Sequence, residues 1–324
     1  NSEAENEEKE FQTKSELLQK NVLKNLIGQD EAVNKICRTI RKAACGLSDP
    51  KRPIGTFMLV GRTGTGKTEL AKILSSELFN QNALVRIDCS EYAMAHETAK
   101  LIGAPPGYIG HADGGTLTNA IIENQRSVIL FDEIEKGHEK LHNMLLQILD
   151  DGRLTDSKGT TVDFSKSLIL MTSNVGAADY AMASSRLGFG QNQNLSEFDF
   201  EDITKSALRE KFKPELLNRL DGILTFKSLS LEDCQKIANI QLGHLHKRII
   251  NAGVEISWNK HLCRFIAEKG YNQEYGAREI RRAIAHWVEE PLSSLILDGK
   301  IKPEEHIKLS ARKGDVHFES KKSA

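Results

Sequence analysis

Gly61-Arg62-Thr63-Gly64-Thr65-Gly66-Lys67-Thr68 reads G-x-x-x-x-G-K-T, and its surroundings restrict the fold more than any other stretch of the chain. The run at residues 54–60 is apolar and follows Pro53, as a buried strand would. Residues 68–79, just after it, hold no Gly or Pro and set Leu70, Ile73, Leu74 and Leu78 on one helical face. A strand, a glycine loop and a helix in this order are the context the motif requires. Glycines let backbone N–H groups curl around phosphate oxygens without a Cβ in the way, and the helix N-terminus adds partial positive charge. Lys67 is then placed to reach the β- and γ-phosphates of a nucleotide, and the Thr68 hydroxyl to ligate Mg²⁺. The alternative is a plain glycine-rich turn, which would not need that strand and that helix.

Apolar runs of strand length recur at residues 83–87, 128–131, 168–172 and 223–226, with helical stretches such as 141–149 between them. Strands alternating with helices argue for a parallel α/β sheet covered on both faces. Beyond about residue 227 the pattern turns helical, at 231–250, 260–269 and 277–297, with Pro291 set to kink or restart the last helix. Residues 306–309 and 316–319 flank Lys313-Gly314 and are expected to pair as a hairpin. At the other end, residues 1–10 carry five Glu and read as a solvated linker, followed at 14–25 by a short amphipathic helix with Leu17, Leu18, Val22 and Leu23. The expected organisation is a linker and N-terminal helix over 1–25, an α/β unit over 26–226, a smaller helical unit over 227–319 and a tail over 320–324.

Forty-four basic residues against 45 acidic ones leave a formal charge of −1, which gives no global drive toward nucleic acid or a membrane surface. No apolar run approaches the roughly 20 residues a membrane span needs. The five cysteines contain no Cys-x-x-Cys pair and read as reduced intracellular thiols. The chain opens on Asn rather than Met and reads as a piece of something longer.

Val128-Ile129-Leu130-Phe131-Asp132-Glu133 places two acids at the end of an apolar strand. In a parallel sheet that end opens onto the ligand crevice. Asp132 is expected to hold Mg²⁺ through water, and Glu133 to orient and polarise an attacking water. Acids often follow strands, so the pattern gains its meaning from the phosphate loop upstream.

These stretches, with several others, resemble the second ATPase module of the Clp unfoldases within the AAA+ superfamily. The resemblance is carried by Ile27-Gly28-Gln29, by Asp49-Pro50-Lys51-Arg52-Pro53-Ile54-Gly55 and by Leu101-Ile102-Gly103-Ala104-Pro105-Pro106-Gly107-Tyr108-Ile109-Gly110. Leu149-Asp150-Asp151-Gly152-Arg153-Leu154-Thr155-Asp156, Pro214-Glu215-Leu216-Leu217-Asn218-Arg219-Leu220-Asp221 and Tyr275-Gly276-Ala277-Arg278 extend it to nearly the whole chain. It implies an AAA+ P-loop NTPase core with a parallel sheet plus a small helical C-terminal lid, binding ATP and Mg²⁺ and hydrolysing ATP. It further implies that Asn174 senses the γ-phosphate, that Arg219 is an arginine finger for a neighbour's ATP, and that Arg278 is a second sensor in the lid. Leu26, Ile27 and Gly28 would line the adenine pocket, and Arg62, Thr63, Gly64, Thr65, Gly66, Lys67, Thr68 and Glu69 the phosphates. Without the resemblance each arginine reads as a solvated surface charge. A finger supplied by a neighbour implies a ring, and the family forms homo-hexamers.

Two apolar islands sit in polar surroundings. Gly107-Tyr108-Ile109-Gly110 reads either as packing or as an exposed loop; the resemblance makes it an axial pore loop in which Tyr108 grips unfolded polypeptide. Leu187-Gly188-Phe189-Gly190 either staples its loop to the module or, by resemblance, docks on a ClpP-type peptidase ring as in ClpC-like members. A stand-alone ClpB-like disaggregase is the alternative, with a nucleotide-gated adaptor module and a nucleic-acid remodeller as rivals of other classes. His138-Glu139-Lys140-Leu141-His142 matches the zinc helix H-E-x-x-H, but no third ligand stands at a recognisable spacing. Relatives usually carry Pro after the first His, so Glu139 creates the pattern by coincidence. Arg62 replaces a Pro common in Clp phosphate loops, at a variable position. The resemblance implies a bacterial cytosol or an organelle of bacterial descent.

Overall fold

A computed structural model describes residues 2–104, 114–177, 179, 182, 197–251, 253–272, 275–302 and 305–321. Contacts divide the chain into two units, one of Asn1–Gly61 with Gly66–Lys227 and one of Arg62–Thr65 with Ser228–Ala324.

The first unit is built on five parallel strands: β1 (Gly55–Val60), β2 (Leu84–Asp88), β3 (Val128–Asp132), β6 (Leu168–Ser173) and β7 (Gly222–Thr225), in the order β2-β3-β6-β1-β7. β1, β3 and β6 are buried along their whole length, which is why they read as unbroken apolar runs. The period of two sorts their side chains onto two cores. Phe57, Leu59, Leu130 and Leu170 face one, packed by α1 (Ser2–Asn25), α2 (Asp30–Ala44) and α3 (Lys67–Leu78). Met58, Val60, Ile129, Phe131 and Met171 face the other, packed by α5 (Thr116–Glu123), α6 (Glu139–Asp151) and α7 (Glu197–Lys211). The short helices α4 (Ala99–Ile102) and α8 (Pro214–Asn218) and a hairpin of β4 (Arg153–Thr155) and β5 (Thr161–Asp163) complete the unit.

The N-terminus departs from the sequence reading, because residues 2–25 form one continuous helix rather than a linker and a short helix. Glu, Lys and Gln are good helix formers, and Phe11 ties the acidic half down. Phe11 is buried with its ring stacked 6.1 Å from Phe79, while the Arg126 guanidinium lies 5.5 Å over it and pairs with Glu8 at 2.8 Å.

The second unit carries α9 (Leu231–Ile250), α10 (Lys260–Gly270), α11 (Ala277–Ile284) and α12 (Glu290–Leu297) over a separate core containing Leu242, Ile266 and Ile280. Ser230 and Asp233 close the start of α9 with a reciprocal capping box. A π-turn at Ala285–Glu289 joins α11 to α12, where Pro291 occupies the first turn and restarts the helix. The expected hairpin is present as β9 (His306–Arg312) and β10 (Asp315–Lys321), turning on two left-handed residues, Lys313 (φ 53°) and Gly314 (φ 83°). β8 (Glu255–Trp258), too short to show a period, adds to it in parallel. Among the described residues no helix is long and apolar enough to cross a membrane.

Candidate functional site

The glycine loop leaves β1, an interior strand between β6 and β7. Gly61 has φ 149°, and a Cβ there would stand 2.7 Å from Phe226 O. Gly66, at φ 106°, stands at the N-cap of α3 and makes no side-chain cap hydrogen bond. An uncapped N-terminus behind left-handed glycines is a cradle for anionic oxygens. Lys67 opens the helix and is buried; its ammonium donates to Gly61 O at 2.6 Å and to Asn174 Oδ1 at 3.0 Å. Thr65 is buried with its hydroxyl on Arg62 O at 2.9 Å, Thr68 is half-buried, and Glu69 is exposed with Lys72 3.4 Å away. Upstream, Leu26 is buried, its side chain in line with any Cβ added at Gly66, and Ile27 and the left-handed Gly28 are half-buried beside it in sequence.

β3 delivers the acids to the same edge of the sheet, since β1, β3 and β6 run parallel and in register. Asp132 is buried, and each of its oxygens has a fixed partner. Thr172 Oγ1 donates to Oδ1 at 2.5 Å, and the Arg86 guanidinium donates to Oδ2 at 2.5 and 3.1 Å. Glu133 then turns into the left-handed region at φ 54°, a conformation that costs a non-glycine residue and aims its side chain away from the strand direction. Its N–H donates to Thr172 Oγ1 at 3.0 Å, and its carboxylate accepts from Lys136 at 2.6 Å. That hydrogen bond raises the Lys136 ammonium above its ordinary value.

Asn174, the first residue after β6, joins the two halves. Its Oδ1 accepts from Lys67, and its Nδ2 donates to Glu133 Oε1 at 3.3 Å. An ammonium only donates and a carboxylate only accepts, so the amide orientation is fixed by its partners. The first unit therefore brings Lys67, Asp132, Glu133 and Asn174 together. Thr172, Arg86 and Glu135, which the sequence reading missed, belong to the same cluster.

The donor set fits a hard, oxygen-seeking cation held by few protein groups: one carboxylate at a strand end and one hydroxyl on the first turn of α3. The Arg86 guanidinium places positive charge beside Asp132 Oδ2.

Arg219 lies elsewhere. It caps α8 just before β7, whose Gly222 pairs with Phe57 near the start of β1, whereas the glycine loop follows the end of β1. A strand of this length advances roughly 3.3 Å per residue, so Arg219 sits at the opposite edge of the sheet from Lys67. Its guanidinium pairs with Asp150, and its carbonyl accepts from Arg52 at 2.8 Å. Arg52, Asp150, Glu215, Asn218 and Arg219 line a cavity of about 460 Å³ there. Arg278 belongs to the second unit, exposed on the first turn of α11. Gly107, Tyr108, Ile109 and Gly110, and likewise Leu187, Gly188 and Phe189, lie outside the described residues.

Both histidines of the zinc-like pentad have other uses. His138 Nδ1 accepts from Lys140 N at 3.1 Å and caps α6, and His142 Nε2 lies 3.0 Å from Ile134 O with its ring against Phe212. Burial pushes the Cys37 and Cys234 thiols up to about 11, as suits unreactive core cysteines.

Comparison with known proteins shows the family. Residues 52–223 match the family profile described as AAA domain (Cdc48 subfamily), and residues 229–309 match the C-terminal, D2-small domain of ClpB protein. The ATP-dependent Clp protease ATP-binding subunit ClpC of Staphylococcus epidermidis is 47% identical over 281 residues, covering 85% of this chain and 34% of the relative. A ClpA homolog of Cyanidium caldarium is 43% identical over 86% of this chain and 33% of its own length. The chain thus spans about a third of the curated relatives it matches. Among solved structures, a closed-state Hsp104 with ATPγS and FITC casein aligns with TM-score 0.83 at 32% identity, covering 95% of this chain and 52% of that one.

Proposed function

The chain belongs to the AAA family, in its Clp branch, and from that premise we propose that it is the ATP-hydrolysing module of a hexameric motor that unfolds polypeptides and threads them through a central pore. The observation that carries the ATPase reading is the amide of Asn174, which spans from the loop lysine Lys67 to the acid Glu133.

In this reading Arg62 through Glu69 cradle the phosphates of ATP, with Lys67 reaching the β- and γ-phosphates, and Leu26, Ile27 and Gly28 line the base pocket. Thr68 and Asp132 hold Mg²⁺, which when bound screens phosphate charge and orients its oxygens. Thr172 and Arg86 keep the Asp132 carboxylate in one orientation. Glu133 orients and polarises the attacking water, and Asn174 ties that acid to the position of the γ-phosphate. Arg219 acts on the ATP of a neighbouring copy, which is supported by its place at the far edge of the sheet from its own glycine loop. Such a finger stabilises transition-state charge. Arg278 serves as the second sensor. Gly107, Tyr108, Ile109 and Gly110 form the pore loop.

Two versions of the motor are supported by different likenesses. The ClpC and ClpA relatives favour one that feeds a ClpP-type peptidase ring through Leu187, Gly188 and Phe189. The ClpB-type small domain and the Hsp104 alignment favour a stand-alone disaggregase. The test is ATP-driven unfolding of a folded, tagged substrate by the full-length protein, with and without Tyr108→Ala. Unfolding that is lost in Tyr108→Ala while ATP turnover persists supports the motor. ATP turnover without unfolding in the wild type leaves a nucleotide-gated adaptor. Adding a peptidase ring and the variants Leu187→Ala and Phe189→Ala separates the two motors, since only the first couples unfolding to degradation.

A further inference from the structure

Glu135 lies in the short 3₁₀ turn Ile134–Lys136 that follows Glu133. One of its carboxylate oxygens, Oε1, accepts the backbone N–H of Asn174 at 3.0 Å. The other, Oε2, is buried and has no hydrogen-bond partner among the described residues. Leaving a buried polar oxygen unmatched is costly, and such an orphan in a native structure calls for a reason.

The reason is in what Oε1 holds. Register with β1 ends at Val60↔Ser173, so Asn174 is the first residue of β6's chain with no sheet partner for its backbone. Its N–H needs an acceptor, and Glu135 supplies it. Once that N–H is pinned, the Asn174 side chain is committed to one direction, toward Lys67 on one side and Glu133 on the other. The Asn174–Glu133 contact is 3.3 Å, long enough that a small swing of the loop would break it. Thr172 already aligns Asp132 and the Glu133 backbone from two residues before Asn174. Glu135 does for the sensor amide what Thr172 does for the acids.

We infer that Glu135 is a positioning residue of the hydrolysis site, acting only through Asn174. This rests on the ATPase reading above. What the site needs from Glu135 is an acceptor oxygen at full side-chain length. A glutamine keeps that oxygen, an alanine removes it, and an aspartate keeps the charge but falls about 1.5 Å short.

The experiment measures kcat and KM for ATP, and binding of a fluorescent ATP analogue, in the full-length protein. Variants are Glu135→Ala, Glu135→Asp and Glu135→Gln, with Asn174→Ala alone and combined with Glu135→Ala. Glu135→Ala and Glu135→Asp are expected to lose about tenfold or more in kcat with KM and analogue binding within about threefold, while Glu135→Gln keeps most turnover. In the Asn174→Ala background, Glu135→Ala is expected to cause no further loss, because coupled residues do not add. Wild-type turnover in Glu135→Ala, collapse in Glu135→Gln, or additive losses in the double variant would each overturn the inference. If Glu135→Ala does not fold, the Asp and Gln variants carry the same contrast. A wild type that does not turn over ATP, or a Glu133→Gln variant that turns over normally, removes the ATPase reading instead.

Discussion

Thr172 Oγ1 donates to Asp132 Oδ1 at 2.5 Å and, through a lone pair, accepts the Glu133 N–H at 3.0 Å, so one hydroxyl on β6 orients both acids that end β3. Thr172→Val keeps the shape and removes the hydroxyl, leaving the buried Asp132 Oδ1 and the part-buried Glu133 N–H without that partner. The expected cost is about 1–3 kcal/mol of folding stability together with a loss of ATP turnover. Chemical denaturation and steady-state turnover check it. A variant with unchanged midpoint and unchanged kcat would remove Thr172 from the site.

Arg219 sits before β7, at the far edge of the sheet from Lys67, with its guanidinium on Asp150. Arg219→Ala is therefore expected to bind nucleotide normally and to lose on the order of 10³-fold or more in turnover. Lys67→Ala fails for a different reason, in the opposite half of the interface. Mixed rings of the two variants contain some interfaces with both groups intact, so mixing is expected to restore part of the turnover. No recovery on mixing would mean that Arg219 does not act on a neighbour.

On the acid side of neutrality the half-buried His142 contributes to the pH dependence with a clear sign. Burial holds the His142 imidazole below its ordinary value, opposed by its hydrogen bond to Ile134 O and helped by nearby Lys211 and Lys213. The folded chain thus refuses a proton that the unfolded chain accepts from about pH 6.5 downward. Stability conferred by the neutral ring is full above that range and falls as pH drops toward the lowered folded value. His142→Gln, which keeps a donor for Ile134 O, is expected to flatten the fall in urea midpoint between about pH 7 and pH 5. An unchanged slope would show that His142 is not the group responsible.

Phe11 is the anchor of the charged half of α1, stacked on Phe79 and covered by Arg126. Phe11→Ala is expected to cost about 3–5 kcal/mol if the helix stays docked, and less if α1 lifts off. Limited proteolysis distinguishes the two, since a lifted helix is cut within its first half. Wild-type resistance to protease and an unchanged melting temperature would contradict the anchor.

The central strands and the glycine loop were legible because a parallel sheet buried on both faces turns its strands into unbroken apolar runs. β1, β3 and β6 are buried from end to end. What escaped was set by register rather than by local pattern. Arg86 meets Asp132 only because β2 lies beside β3 with Asp88 opposite Asp132, and nothing near Arg86 in the sequence announces that pairing. Thr172 and Glu135 act across the β3–β6 seam in the same way. β8 is four residues long and gains its place from β9, about fifty residues later in the chain. The first half of α1 read as solvated because its composition is acidic, and only the remote Phe79 and Arg126 explain why it is held.

The most direct test of the account is ATP turnover and ATP binding in Glu133→Gln of the full-length protein. The amide keeps the size of Glu133 and its reach to Asn174 but cannot act on water as a carboxylate. The account expects nucleotide binding and assembly to persist while turnover falls by about 10²-fold or more. Normal turnover in Glu133→Gln would contradict the role given to Glu133 and, with it, the site built around Lys67 and Asn174.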